Sequence, residues 1–185
     1  YVTGDISLLN SNSKSGGLVG ESSGNIFNTY ADVDITVSTD SDVVLGGLVG
    51  YNNGKIETSY ALGNITGNGA INSVYVGGLV GKFVNGDINN SLAIGDVKSN
   101  GFTGRIVGGD ESTDHNITKL YYYENQMIMD IDENDKTPVD EDNENIILAT
   151  ASNLNDMNWY LNILGFDETV WDFTNLSDGN FPKLK

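Results

Sequence analysis

The pentapeptide GGLVG occurs three times in this chain, at Gly16–Gly20, Gly46–Gly50 and Gly77–Gly81, and a worn copy, GRIVG, follows at Gly104–Gly108. The starts are separated by 30, 31 and 27 residues (16, 46, 77, 104). A period of that size is the signature of one supersecondary unit stacked on itself, so the fold is constrained before any single residue is interpreted.

The pentapeptide carries a longer unit. In the second copy it continues through Asn52-Asn53-Gly54-Lys55-Ile56 and Thr58-Ser59-Tyr60-Ala61-Leu62-Gly63-Asn64-Ile65. The first copy answers with Gly24-Asn25-Ile26 and Asn28-Thr29-Tyr30-Ala31, and the third with Gly86-Asp87-Ile88 and Asn90-Ser91-Leu92-Ala93. Tyr1-Val2-Thr3-Gly4-Asp5-Ile6 aligns with Tyr60–Ile65, which reads as a chain that opens partway through a unit of a longer protein. Apolar runs of four to six residues are separated by Gly, Asn, Asp and Ser, the punctuation of strands and turns. Ala61, Gly63 and Ile65 alternate, whereas Ile56 has the opposite parity and requires a bend before Ala61. These patterns predict a mainly β chain, a right-handed parallel β-solenoid of about four coils. Leu18, Leu48, Leu79 and Ile106 form its inner column, and a C-terminal helix-and-strand cap closes it. The paired glycines suit either a positive φ or coils too close for a Cβ.

Three stretches follow: solenoid over 1–125, an acidic loop or insertion over 126–149, and the cap over 150–185. Between Asp130 and Asn145 eight acids face one base, Lys136, so −7 of the net −17 lies there. Such a run reads as a solvated loop. In the cap, Thr150 or Ser152 can start a helix whose Leu154, Met157, Leu161 and Leu164 share a face, with Gly165 as a stop. A cap is expected because the last coil of an array exposes apolar surface and strand edges.

The nine bases are scattered singly, so no stripe neutralises phosphates, and nucleic acid and anionic membrane are excluded as partners. No apolar stretch approaches the ~20 residues of a membrane-spanning helix. There is no cysteine, hence neither a disulfide nor a thiolate metal site. As a fragment the chain is expected to be monomeric.

Few residues carry a chemical signal. Gly20-Glu21-Ser22-Ser23-Gly24 fits a nucleophile elbow, but the same place in the next unit reads Gly50-Tyr51-Asn52-Asn53-Gly54, an ordinary turn. His115, the only histidine, follows Asp114 in a polar stretch and reads as a surface residue. Gly77–Lys82 lacks the first glycine and the hydroxyl residue of a phosphate loop. Asp130, Asp132 and Asn134, with Glu141 eleven residues after Asp130, have the oxygen spacing of a calcium loop, although Asp135 stands where that loop needs glycine and Pro138 interrupts it. No other cofactor is expected. The repeat itself creates two columns. Tyr30, Tyr60 and Tyr121, with Leu92, form either an outward aromatic ladder for sugars or a protein partner, or a packed strand corner, which the usual burial of large aromatics favours. Asp5, Asp34, Asn64 and Asp96 offer carboxylates for glycoside chemistry or, more simply, turn residues bonding their own backbone.

GGLVG followed by Gly54-Lys55-Ile56 and Ser59-Tyr60-Ala61-Leu62-Gly63-Asn64-Ile65 resembles the GLUG motif. That repeat occurs in immunoglobulin A protease-type zinc metallopeptidases and other large bacterial surface proteins. The resemblance covers Tyr1 to Val107, and Trp171-Asp172-Phe173 with Phe181-Pro182-Lys183-Leu184 looks like the ending of such arrays. It implies a noncatalytic extracellular module, secreted or wall-attached, that serves as spacer and as recognition surface for a host protein, immunoglobulin A among them, or a glycan. The alternative is a carbohydrate-binding or carbohydrate-active β-helix. No zinc ligand of the metallopeptidases can be placed on this sequence.

Overall fold

The computed structural model describes residues 1–9, 12–70, 72–111, 115–177 and 179–185, with His115 by its backbone alone. Each repeat unit makes one turn of a parallel β-solenoid, and strands pair with their equivalents one turn away. On the long side, Val2–Leu9 pairs in full register with Tyr30–Ser38, and the ladder continues through Ile65–Asn68, Val97–Ser99 and Ile128–Met129. The second side stacks Ser13–Gly16, Val43–Gly46, Val74–Gly77 and Phe102–Gly104, and the third stacks Val19–Ser22, Val49–Asn52, Val80–Phe83 and Val107–Asp110. Five turns result, against the four expected, and the difference lies in the acidic stretch.

GGLVG is the corner between the second and third sides. Leu48, Leu79 and Ile106 point inward at 0% exposure, beneath a half-buried Leu18. Full burial of one such side chain contributes roughly 1.5–3 kcal/mol, which the stack repeats at each turn. The corners bond turn to turn: Leu18 N–H donates to Leu48 O at 2.9 Å, Leu48 N–H to Leu79 O at 2.9 Å, and Leu79 N–H to Ile106 O at 3.0 Å. Close approach, and not a positive φ, explains the glycines. A Cβ on Gly47 would overlap the Gly78 carbonyl and come within 2.7 Å of the Ala61 Cβ, and one on Gly50 would lie 2.6 Å from Gly20 O. The parity change between Ile56 and Ala61 has a separate device. Asn28, Thr58, Asn90 and Lys119 occupy equivalent positions, all with φ between 48° and 52°. A left-handed residue costs a non-glycine about 1–2 kcal/mol, so the turn is held by its surroundings, including a 2.7 Å bond from Thr58 Oγ1 to Asn28 Oδ1.

The stretch 126–149 joins the solenoid at both ends, as a partial fifth turn around an irregular acidic run. Its Ile128–Met129 adds to the long side beside Val97–Ser99, and Ile146–Ala149 pairs with Leu120–Tyr123. It supplies no strand to the second and third sides, where Phe102–Gly104 and Val107–Asp110 are the last strands of their sheets. A side chain substitutes there. The Asp140 carboxylate accepts from the backbone N–H groups of Arg105, Ile106 and Val107 at 2.9, 2.8 and 2.9 Å, the place a fifth Leu carbonyl would hold. Burial pushes this carboxyl above its ordinary range, against the pull of those donors. With no further corner stacked above it, Arg105 fits where earlier turns need the second glycine, and its guanidinium lies 4.4 Å from the Tyr122 ring centre. Alternating acids hid this turn, because only Ile128, Pro138, Ile146 and Ala149 mark its path.

Residues 150–185 also sit differently from expectation. They do not cover the end of the array but run along its flank, packing Leu154, Trp159, Tyr160, Leu164, Phe166 and Trp171 against Tyr30, Tyr60, Leu92 and Tyr121. The single expected helix is two, Ala151–Leu154 and Met157–Asn162. Thr150 caps the first in a capping box with Asn153, and Asp156 caps the second by accepting from Asn158 N–H. The break at Asp156 turns Met157 outward and brings Trp159 and Tyr160 inward instead. Gly165 ends the segment at φ +68°, as expected. Among the described residues no helix is long and apolar enough to cross a membrane.

Candidate functional site

The tyrosine column exists and is aligned, but it is not an outward ladder. Tyr1, Tyr30 and Tyr60 stack at 4.8 Å between ring centres, the spacing of adjacent strands, and the rings are within 5° of parallel. Tyr30, Tyr60 and Tyr121 are only 5%, 1% and 7% exposed. Trp171 lies 5.6 Å from Tyr60 and Trp159 meets Tyr121 edge-on at 5.1 Å, while the Tyr60 hydroxyl donates to the Pro182 carbonyl. Burial raises all three phenol pKa values, Tyr60 most. Tyr30, Tyr60 and Tyr121 are therefore the seat of the C-terminal segment, while Tyr1, at the end of the stack, is 65% exposed.

The carboxylate column is likewise structural. Asp34 Oδ1 accepts from Asn64 N–H at 2.6 Å, Asn64 Oδ1 from Asp96 N–H at 2.9 Å, and Asp96 Oδ1 from Met127 N–H at 2.8 Å. Each side chain satisfies the backbone of the next turn and not its own, a role the sequence reading missed. Of the calcium candidates, Asp130 is bound into a local turn, accepting from Asn134 and Asp132 backbone N–H groups at 2.9 Å. Bonds from the Asn134 backbone and side chain hold its carboxyl below the ordinary range. Asp132, Asn134 and Glu141 are exposed, and among the described residues no group of three or more acidic or histidine side chains is arranged to hold a metal ion. Ser22 sits in the strand Val19–Ser22, with its hydroxyl accepting from Gly24 N–H at 3.4 Å. The His115 side chain lies outside the described residues, as does Asp114.

The surface that does present chemistry is the outward face of the second and third sides. Register places Lys14, Val44, Tyr75 and Phe102 in one column and Glu21, Tyr51, Lys82 and Gly109 in the next. The columns touch: Lys14 Nζ lies 4.0 Å from the Tyr51 ring centre, Lys82 Nζ lies 4.6 Å from that of Tyr75, and Tyr75 stacks on Phe102 at 5.0 Å. Lys14 also pairs with Glu21 at 2.9 Å and Lys82 with Glu111 at 2.6 Å. Two hollows lie along this face. One, of about 480 Å³, is lined by Lys14, Asp42, Val44, Tyr51 and Lys82, and the other, of about 430 Å³, lies between Phe102, Val107–Glu111 and the fifth turn at Val139–Asn143. Rings, amines and carboxylates so arranged can stack on, hydrogen-bond and neutralise a ligand. The signal for them was present in the sequence. The position two before each Gly-Gly and the one after each GGLVG hold four different residues in four units, on a frame that otherwise repeats.

The family model of the GLUG motif matches residues 43–66, which span the second corner, its left-handed bend and the return to the long side. No curated protein and no solved structure matches the chain. GLUG is a repeat motif and not a catalytic domain, so the match speaks for a repeat module.

Proposed function

We propose that this chain is a noncatalytic extracellular module of a bacterial surface or secreted protein, a rigid spacer whose outward second and third sides recognise a host protein. The observation that carries the reading is the contrast between the buried columns and this face. The frame buries Tyr30, Tyr60 and Tyr121 and commits the side chains of Asp34, Asn64 and Asp96 to backbone bonds, while Lys14, Tyr51, Tyr75, Lys82 and Phe102 are displayed in adjoining columns. Immunoglobulin A is the first host protein to test, on the strength of the resemblance described above. Immobilised immunoglobulin A should retain the chain in a surface plasmon resonance experiment, and Tyr51→Ala with Phe102→Ala should weaken retention at least tenfold without unfolding the solenoid. Equal retention by the double variant would remove the face from the account, and no retention would remove immunoglobulin A. A glycan is the second reading, favoured by Phe102, whose ring is 41% exposed over its Tyr75 neighbour. A panel of neutral oligosaccharides in the same experiment separates the two.

A further inference from the structure

Four asparagines in this chain precede a glycine: Asn53, Asn68, Asn85 and Asn100. An Asn-Gly pair has a latent reaction, because a glycine without a Cβ lets its backbone nitrogen approach the preceding side-chain amide. Whether the two groups meet depends on how each turn holds them, and the solenoid holds them differently.

Two of the pairs lock each other. Asn100 Nδ2 donates to Gly69 O at 2.7 Å, and Asn100 Oδ1 accepts from Gly69 N–H at 3.1 Å. The Asn100 side chain is thus directed at the neighbouring turn, and the nitrogen that Asn68 would need is committed to Asn100. Gly101 N–H, which follows Asn100, donates to Ser99 Oγ at 3.1 Å. The third pair is exposed at Asn53 but braced: Asn53 N–H donates to Ser22 O at 2.7 Å, and the buried Asn52 donates from Nδ2 to Gly54 O at 2.7 Å. Asn85 alone among the four turns back on its own glycine. It is exposed, and its Oδ1 accepts from Gly86 N–H at 2.9 Å, which brings the amide carbon bonded to that oxygen beside the nitrogen that would attack it. Gly86 has a φ of +97°, a conformation that any other residue adopts only under strain, so the fold itself demands the reactive pair.

We propose that Asn85 is a self-modification site of the folded chain, converting through a succinimide to aspartate and isoaspartate. Hydroxide removes the Gly86 amide proton, the nitrogen attacks Asn85 Cγ, and the Cγ–Nδ2 bond breaks to release ammonia. Water then opens the ring at either carbonyl, so the net change exchanges an amide and a water for a carboxylic acid and ammonia. The two products differ structurally. Aspartate keeps an oxygen where Oδ1 now accepts from Gly86, whereas isoaspartate routes the backbone through the side chain and lengthens it by one carbon at the entry to the strand Gly86–Ala93. The site follows the third-side strand Val80–Phe83, so either product adds an anion next to the displayed face.

Tryptic mapping by mass spectrometry tests this on the whole chain, since cleavage at Lys14, Lys55, Lys82, Lys98 and Arg105 leaves the four pairs in four separate peptides. In mildly alkaline buffer the folded chain should convert Asn85 at least tenfold faster than Asn53, Asn68 and Asn100, with ammonia released in step and a rate that rises with pH. In urea the four rates should converge, because the contacts that separate them are gone. Asn85→Gln, whose ring closure needs one more atom, should silence that peptide and leave the other three as they were. Conversion of Asn53 as fast as that of Asn85 in the folded chain, or an Asn85 that stays intact there while the unfolded chain reacts, would overturn the proposal. The same ranking in urea would show that local sequence and not the fold sets it, and would overturn the proposal as well.

Discussion

Two cores hold this molecule together, and they are built differently. The inner core is aliphatic and periodic: Val43, Leu45, Leu48, Ile56 and Ile65 recur one turn later as Val74, Val76, Leu79, Ile88 and Val97, all essentially without exposure. The flank seam is aromatic and singular, with Trp159, Tyr160, Phe166 and Trp171 of the C-terminal segment closing over Tyr30, Tyr60 and Tyr121. In the inner core each turn supports its neighbours, so stability accumulates along the array. The seam instead ties several turns to one segment, and it converts tyrosines that the repeat would otherwise display into packed surface.

If the corner is as tight as its backbone contacts imply, Gly47→Ala strikes the periodic core hardest. The added Cβ must displace the Gly78 carbonyl, and we expect a loss above about 4 kcal/mol, measured by urea unfolding, or failure to fold. A well-folded Gly47→Ala protein would show that the turns are further apart than described. Trp171→Ala should come next, costing about 3–5 kcal/mol by removing the ring between Phe166, Tyr60 and Tyr30. Its diagnostic is selective: the second and third sides should keep their amide protection while residues 150–185 lose theirs, and loss of protection throughout would merge the two cores into one.

High pH should open the seam first. Burial raises the phenol pKa values of Tyr30, Tyr60, Tyr121 and Tyr160 above the ordinary 10.0. The folded state therefore keeps its protons where the unfolded chain loses them, so stability is full below about pH 10 and falls as pH rises beyond it. Tyrosinate absorbance and tryptophan fluorescence should change together, and early ionisation of these four without a fluorescence change would contradict the packing. The smallest effect belongs to Tyr60→Phe, which removes the bond to the Pro182 carbonyl and should cost about 1 kcal/mol in the same unfolding experiment.

The periodic core was legible in the sequence because repetition makes each inference several times over. GGLVG gave the corner, Leu18, Leu48, Leu79 and Ile106 gave the inner column, and the parity of Ile56 against Ala61 demanded the bend that Thr58 supplies with φ 48°. The singular parts were not legible for the same reason. Nothing in the run from Asp130 to Asn145 announces that Asp140 copies a missing backbone carbonyl, because that role depends on three N–H groups more than thirty residues away. The destination of Trp171 was hidden too: an apolar segment following an array fits a flank as well as an end, and only the tyrosine column decides between them. The displayed face was half legible. Its variable positions could be read, but that Lys14 meets Tyr51 and Lys82 meets Tyr75 depends on how closely the second and third sides approach.

The claim on which the rest depends is that the acidic stretch is the closing turn of the solenoid. Native-state hydrogen exchange at Arg105, Ile106 and Val107, in the unaltered chain and in Asp140→Ala, tests it most directly. The account predicts strong protection of all three amides, lost together in the variant while the equivalent Leu48 and Leu79 amides stay protected. Fast exchange at these positions in the unaltered chain, or protection indifferent to Asp140, would return the stretch to a solvated loop.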